Sequence, residues 1–425
     1  MNTKYCLERL KYHGADSAAC VLSEGSKYEM NIVNGEMTLL RTTFDQSASL
    51  RVIIDSREGS ASVNMIDEAS IDEASKEACE LAAAAERDEC NGFAEEQPPE
   101  GFSSGPESPD TELMYHRAME FMETLKADYP TISLMALYMS HVFSASQVEN
   151  TNNVNFSTRR GYYMTDVEML AREGEEASSF NYTAFISDNL DKPIIECSSI
   201  GALIKNTAAQ IRTTAIEGSF EGDIIFTPDC FGSLLDAYVR TFLADSALIS
   251  GTSPLKDSLG ERVASSILTV RSLPTKLTGG YFVTGDGYKA RDCDIIDGGI
   301  LKSFVIGRYA SKKTGKPHSY NEGDCYGVDP GETPVCDMIR SVERGLLVSR
   351  FSGGAPAKNG DLNGVAKNSF YIEDGEIKYP ISETMIAGNL DKMFRNIKEI
   401  SAERTDFGYT ILPSVKITGI TITGK

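Results

Sequence analysis

Gly345-Leu346-Leu347-Val348-Ser349-Arg350-Phe351-Ser352-Gly353-Gly354 reads as a strand running into a glycine-rich turn. Asn359-Gly360-Asp361 follows, then Phe370-Tyr371-Ile372-Glu373-Asp374-Gly375-Glu376-Ile377, Tyr379-Pro380 and Ile386-Ala387-Gly388-Asn389-Leu390. Asp374-Gly375 between two apolar runs is a hairpin signal, because a tight primed turn needs positive φ at both central residues. The same signal at Asp286-Gly287 and Asp297-Gly298-Gly299 extends the pattern upstream. Beyond a helix expected at residues 232–248, the chain should therefore be mainly antiparallel β.

Toward the N-terminus the pattern changes. A short strand at 223–227 follows a helix expected at 199–215, and strands are expected at 132–144, 161–171 and 180–187. Asp110 or Thr111 can cap a helix running to Lys126, with Met114, Ala118, Phe121, Met122 and Leu125 along one face. Residues 91–109, rich in proline, glycine and serine, read as a connector without regular structure. The first ninety residues give an opening helix at 4–12 stopped at His13-Gly14, and strands at 18–22, 28–33, 37–43, 49–54 and 60–65. Asn34-Gly35 makes a turn there, and an alanine-rich helix at 71–87 covers the sheet. The fold class expected is α+β. An N-terminal antiparallel sheet with covering helices occupies 1–215, and a mainly antiparallel β domain with a few helices occupies 216–425. No repeat of 20 to 50 residues suggests a solenoid or propeller.

Composition excludes several function classes. Acidic residues outnumber basic ones by 62 to 41, a formal charge of −21, which repels phosphate backbones and argues against direct nucleic-acid binding. No cationic leader and no apolar run of membrane-spanning length is found, so no membrane association is expected. Nine cysteines without a C-x-x-C pair fit reduced thiols, and the cytoplasm is the expected location.

Short motifs offer little chemistry. Gly101-Phe102-Ser103-Ser104-Gly105 matches the nucleophile pattern G-x-S-x-G, but sits among prolines with no strand before it. His116 and Glu120 are four apart on one expected helix, yet have no third ligand in sight. Gly285-Asp286-Gly287-Tyr288-Lys289-Ala290 imitates a dinucleotide loop but leads into another strand rather than a helix. The only histidines are His13, His116, His141 and His318, so no paired-histidine zinc helix exists.

The opening segment, together with Gly299-Ile300-Leu301-Lys302-Ser303-Phe304, Tyr309-Ala310-Ser311-Lys312-Lys313-Thr314-Gly315 and Pro413-Ser414-Val415-Lys416-Ile417, resembles the TldD/PmbA family, also called modulators of DNA gyrase. The resemblance is strong over about 223–425 and holds in outline before that. TldD members carry H-E-x-x-x-H on the helix after a short strand, with a cysteine near the C-terminus completing a zinc site. Here Leu234-Leu235 matches the residues before the first histidine, which places Asp236, Ala237 and Thr241 at the histidine, glutamate and second histidine. Cys336, the last cysteine, lies well before the C-terminal strands.

Such substitutions resemble the PmbA, or TldE, subgroup. The resemblance implies a non-catalytic subunit with no metal and no catalytic residue of its own, zinc being held only by a TldD-type partner. The partner would be that HExxxH subunit or a second copy of this chain, giving a dimer. The complex would act in proteolysis of unfolded or modified peptides and in peptide maturation, touching gyrase only indirectly through toxins and antitoxins. Ser352, Gly353, Gly354, Gly388 and Asn389 are candidates to line a groove for extended peptide; the glycines would equally serve tight turns with positive φ. Two alternatives stay open: an autonomous peptidase with a site foreign to the family, and a homodimeric peptide-binding protein without hydrolysis.

Overall fold

The computed structural model describes residues 2–424. Asn2 caps helix α1 (Thr3–Tyr12), its side chain accepting from the Tyr5 N–H at 3.0 Å. Strands β1 (Ser17–Val33), β2 (Glu36–Ile54) and β3 (Arg57–Val63) follow, then helix α2 (Glu68–Ala84). The five short runs expected here are three long strands. The polar stretches between the runs are not turns: residues 23–27 pair with 43–47 in an unbroken antiparallel register. The alanines of α2 let it lie close on the sheet, so close that a Cβ at Gly59 would fall 2.1 Å from the Ala78 carbonyl oxygen.

Strand β4 (Glu100–Ser104) lies inside the stretch expected to be an irregular connector. It runs parallel to residues 156–160 of a later strand, β6, at the sheet border, where exposed serines and glycine cost little. The G-x-S-x-G run thus lies along an edge strand and does not form a strand-to-helix elbow. Helix α3 (Thr111–Asp128) is capped by Asp110, which accepts from the Leu113 N–H at 2.9 Å, and buries Met114, Ala118, Phe121 and Leu125. Strands β5 (Ile132–Asn150) and β6 (Asn155–Glu173), the short β7 (Glu176–Ala177) and β8 (Asn181–Ser187) complete this sheet, whose order is β3-β2-β1-β5-β6, with β4 and β8 both paired to β6. Helix α4 (Ile200–Ala209) is shorter than the expected 199–215. It ends where the buried Gln210 turns its amide to donate to the Ser369 carbonyl at 2.8 Å.

The second half is built on a 13-stranded mixed sheet. Its central strand β9 (Ser219–Phe226) pairs antiparallel with Ile411–Thr423 and parallel with Arg344–Val348. Antiparallel ladders dominate, as expected, but the helix after β9 forces this parallel return. That helix, α5 (Pro228–Phe242), starts four residues before the expected 232 because Pro228 supplies the fixed φ of a first helical position. It ends at Phe242, and a short helix Asp245–Ile249 carries on after the extended Ala244. Phe231, Leu235, Tyr238 and Phe242, spaced at helical period, are all fully buried. Tyr238 stacks on Phe394 with centroids 4.1 Å apart, which fixes the rotation of α5 about its axis. Its opposite face, Asp229, Ser233 and Asp236, is turned toward the first half.

The halves are clamped beside that face. The Ile186 N–H donates to the Phe407 carbonyl at 2.8 Å, and Arg350 and Asn368 both donate to the Phe180 carbonyl, at 3.1 and 3.0 Å. The Arg160 guanidinium donates to the carbonyls of Thr278 and Gly280. Gly408 has φ +78°, and a Cβ there would fall 1.9 Å from the Ile186 carbonyl oxygen. Gly408→Ala should therefore push β8 off the second half and cost ~2 kcal/mol or more, read as a lower denaturation midpoint. An unchanged midpoint would show that this contact does not hold the halves together.

Candidate functional site

Between the halves lies a cleft of about 840 Å³. One wall is the outer edge of β8 with the start of α4; the other is the first two turns of α5, residues 324–326, residues 349–351 and residues 403–414. The cleft follows from two edges meeting. Strand β8 is paired on one side only, and in its antiparallel ladder Ile186, Ala184 and Tyr182 stand opposite Met164, Asp166 and Glu168. Because the outward amide of Ile186 is taken by Phe407, the two-residue period turns the main-chain groups of Ala184 and Tyr182 toward the cleft as well. The Tyr409 hydroxyl approaches the Ala184 carbonyl at 3.4 Å.

The floor is a carboxylate. Asp229, in the first turn of α5, accepts from the hydroxyls of Thr183 and Ser199, each at 2.8 Å, with the two hydroxyl oxygens 3.0 Å apart. Burial raises its carboxyl above the usual range, and the two hydroxyls offset this only in part. Burial also raises Asp166, helped by Glu168. Tyr409 keeps 39% of its surface exposed, yet desolvation inside the cleft pushes its phenol up to about 12, with further contributions from Asp229 and Asp166. Tyr326 is raised by burial and then by Asp236. At the rim Asp236 is paired with Arg240, one turn on, at 2.7 Å.

The positions that match the zinc helix are placed differently from one another. Asp236 faces the cleft in its pair with Arg240, Ala237 packs its methyl against the core, and Thr241 lies outside the cleft lining. These residues do not fit a zinc ion: one carboxylate is already ion-paired and its neighbour carries no donor atom. Among the described residues no three His, Cys, Asp or Glu side chains converge on a point where a metal could sit.

No histidine lines the cleft. His13 lies 2.8 Å from Asp72, His141 lies 2.8 Å from the Pro106 carbonyl oxygen, and His318 lies 3.2 Å from Asp286. His116 is exposed, while Glu120 pairs with Arg117 at 2.7 Å. The run Gly285–Ala290 forms a turn closed by the Val283–Lys289 bridge.

Of the peptide-groove candidates, Ser352 and Gly353 lie on the strand Arg350–Gly353, and Gly388 and Asn389 end the strand Thr384–Asn389. Gly354 and Gly388 border a separate shallow depression, and none of the five lines the main cleft. None of the three glycines takes positive φ, so they do not serve as left-handed turn residues. Asn389 accepts from the Lys392 N–H and donates to the Asn359 carbonyl and to Asp361, tying a helix start to a loop. Sequence reasoning did not reach Asp166, Thr183, Ser199, Asp229, Tyr326 or Tyr409. The one available signal was Thr227-Pro228-Asp229, a proline and an acid placed for a helix start.

Comparison with known proteins agrees with this architecture. Residues 219–424 match the model of the PmbA/TldA metallopeptidase C-terminal domain, and residues 18–82 match PmbA/TldA metallopeptidase domain 1. A metalloprotease PmbA homolog of Haemophilus influenzae is 24% identical over 415 residues, covering 90% of this chain and 88% of that protein. The crystal structure of TldE from Thermococcus kodakarensis superposes with a TM-score of 0.84 at 19% identity, over 99% of both chains. A Bacteroides thetaiotaomicron protein named as a modulator of DNA gyrase gives 0.86 at 20% identity, over 100% of this chain and 98% of its own. The fold is that of a two-part α+β metallopeptidase-family protein. The chain belongs to the TldD/PmbA family.

The Asp229 carboxyl makes a pH-dependent prediction. A carboxyl whose folded pKa is raised costs stability as pH climbs from its unfolded value, ~3.9, through the folded one. Asn at position 229 keeps an acceptor for both hydroxyls without the charge, so Asp229→Asn should stabilise the protein more at pH 8 than at pH 5. Melting curves at the two pH values check this; an equal shift at both would contradict a half-buried Asp229 whose carboxyl is raised by desolvation.

Proposed function

We propose that this chain is a PmbA/TldE-like, non-catalytic subunit of a TldD/PmbA metalloprotease, and that it binds unfolded or extended peptide for a TldD-type HExxxH partner or for a second copy of itself. The observation that carries the reading is the face α5 presents to the cleft: Asp229, Ser233 and an ion-paired Asp236, with the Ala237 methyl packed against the core. Zinc-dependent peptide hydrolysis requires a metal-activated water and a carboxylate base, and this face supplies no site for the first. The Thr183–Ser199–Asp229 cluster is no substitute, because both hydroxyls donate to the carboxylate and no imidazole is near to take a proton from either.

Peptide binding is supported by the outer edge of β8, which no strand among the described residues covers and where the Tyr182 N–H and the Ala184 carbonyl are met only by the Asn181 and Tyr409 side chains. An extended chain laid along Tyr182 and Ala184 would displace these side-chain bonds and add a strand through main-chain hydrogen bonds, without demanding a sequence. The acidic surface fits a protein that does not touch nucleic acid, so an effect on gyrase would pass through peptide toxins or antitoxins that the complex processes or matures. All nine cysteines are unpaired and no helix among the described residues is long and apolar enough to cross a membrane; both accord with a role in the cytoplasm.

The purified chain should contain no stoichiometric zinc, should run in light scattering as a dimer, and should leave unfolded peptides uncut. Adding a TldD-type subunit should produce cleavage that a strong chelator abolishes. A partner whose HExxxH glutamate is changed to alanine should give none, and cleavage that persists with that partner would place the catalytic groups in this chain.

A further inference from the structure

The side chains that line the cleft are unbalanced in charge and unsatisfied in hydrogen bonding. Asp166, Asp229, Asp236, Asp324 and Glu403 face it, against a single base, Arg350. That base is engaged at the wall: its guanidinium stacks on the Tyr182 ring at 4.0 Å and donates to the Phe180 carbonyl. Asp236 has Arg240, but among the described residues Asp166, Asp229 and Asp324 have no ion-pair partner.

A second observation concerns unpaired hydrogen-bonding atoms, which in this cleft lie on neutral side chains in all but one case. Eight buried side-chain polar atoms make no hydrogen bond within the described protein, and five of them line this one cleft: Asp166 Oδ1, Ser198 Oγ, Thr227 Oγ1, Tyr326 Oη and Ser349 Oγ. Tyr326 is only 3% exposed, so its phenol is buried with its hydroxyl unpaired. Polar groups buried in this way call for a hydrogen-bonding partner in the cleft. Every one of the five can accept a hydrogen bond, and carboxylate oxygens can do nothing else when ionised. The four hydroxyls can donate as well as accept, so the sign of the preference comes from the carboxylates, which favour a donor-rich cation over an anion or an aliphatic group. A bare metal ion fits poorly, since no three ligating side chains converge.

We propose that the cleft holds the cationic side chain, lysine or arginine, of a bound extended peptide, its charge placed between Asp166 and Asp229 in the cleft that Tyr326 and Tyr409 also line. The proposal rests on the peptide-binding reading, and adds to it a preference at one position. An ammonium or guanidinium supplies several donors to these oxygens, offsets the cost of keeping desolvated carboxylates ionised, and sits well against tyrosine rings. The neighbouring edge of β8 would hold the backbone from which that side chain projects.

The test uses the full chain and fluorescently labelled, unstructured peptides that differ at one central residue: lysine, norleucine or glutamate. Anisotropy titrations should show the lysine peptide binding about tenfold more tightly than the norleucine peptide, and the glutamate peptide more weakly than both. Asp166→Asn should cut the lysine-over-norleucine ratio to about threefold or less. Tyr326→Phe, which removes one oxygen and keeps the ring, should lower the same ratio and serves if Asp166→Asn does not fold. Equal affinity for lysine and norleucine peptides in the unmodified chain would overturn the cation site while leaving peptide binding intact. If no peptide binds, the peptide reading itself falls, and this proposal with it.

Discussion

A single carboxylate crosses the seam on which the molecule is organised. Asp229 belongs to the second half, yet both hydroxyls that bond it, Thr183 and Ser199, belong to the first. Desolvating an acid is unfavourable, and here two features offset part of the cost: two hydroxyl donors and the positive end of the α5 dipole, in whose first turn Asp229 sits. The rest is met by packing on the opposite face of the same helix, where Phe231, Leu235, Tyr238 and Phe242 leave it one way to seat. With the helix fixed, residue 229 points at the seam, residue 236 at its rim and residue 237 into the core. Gly408 and the Ile186–Phe407 hydrogen bond close one end of the seam, so that a cleft is left between them.

The same geometry explains how one helix can serve two purposes within a family. A helix that follows a central strand and is anchored by one apolar face always offers its other face to the cleft. Histidines and a glutamate there would make a metal site. Asp229, Ser233 and Asp236 make an acidic, hydroxyl-rich surface that is suited to holding donors and lacks the ligands for metal-assisted chemistry. In the proposed complex the two arrangements are complementary, one chain hydrolysing and the other presenting peptide along the edge of β8.

Much of this fold could be read in the sequence where local signals were strong. Asn34-Gly35, the Asp110 cap and the apolar stripe of α3 gave elements whose observed bounds lie close to those expected. The failures have physical causes. Five short strands became three because alternating polar residues on a solvent-facing sheet look like turns when read singly. Residues 100–104 looked irregular because a short edge strand needs no apolar face. The helix stop at Ala209 depends on a bond between Gln210 and Ser369, 159 residues away, which no local pattern carries. The cleft was unreadable for the same reason. Its floor joins residues 183, 199 and 229 and its lining extends to 414, so no contiguous run of sequence carries it.

Hydrogen–deuterium exchange on the intact chain, with and without a saturating unfolded peptide, tests the account most directly, because it reports where an extended chain makes main-chain hydrogen bonds. Peptide held in the cleft should slow exchange in residues 181–187, the β8 edge, together with residues 228–236 at the start of α5. Protection confined to residues 352–354 and 386–389, or no protection in β8 under saturating peptide, would contradict that placement.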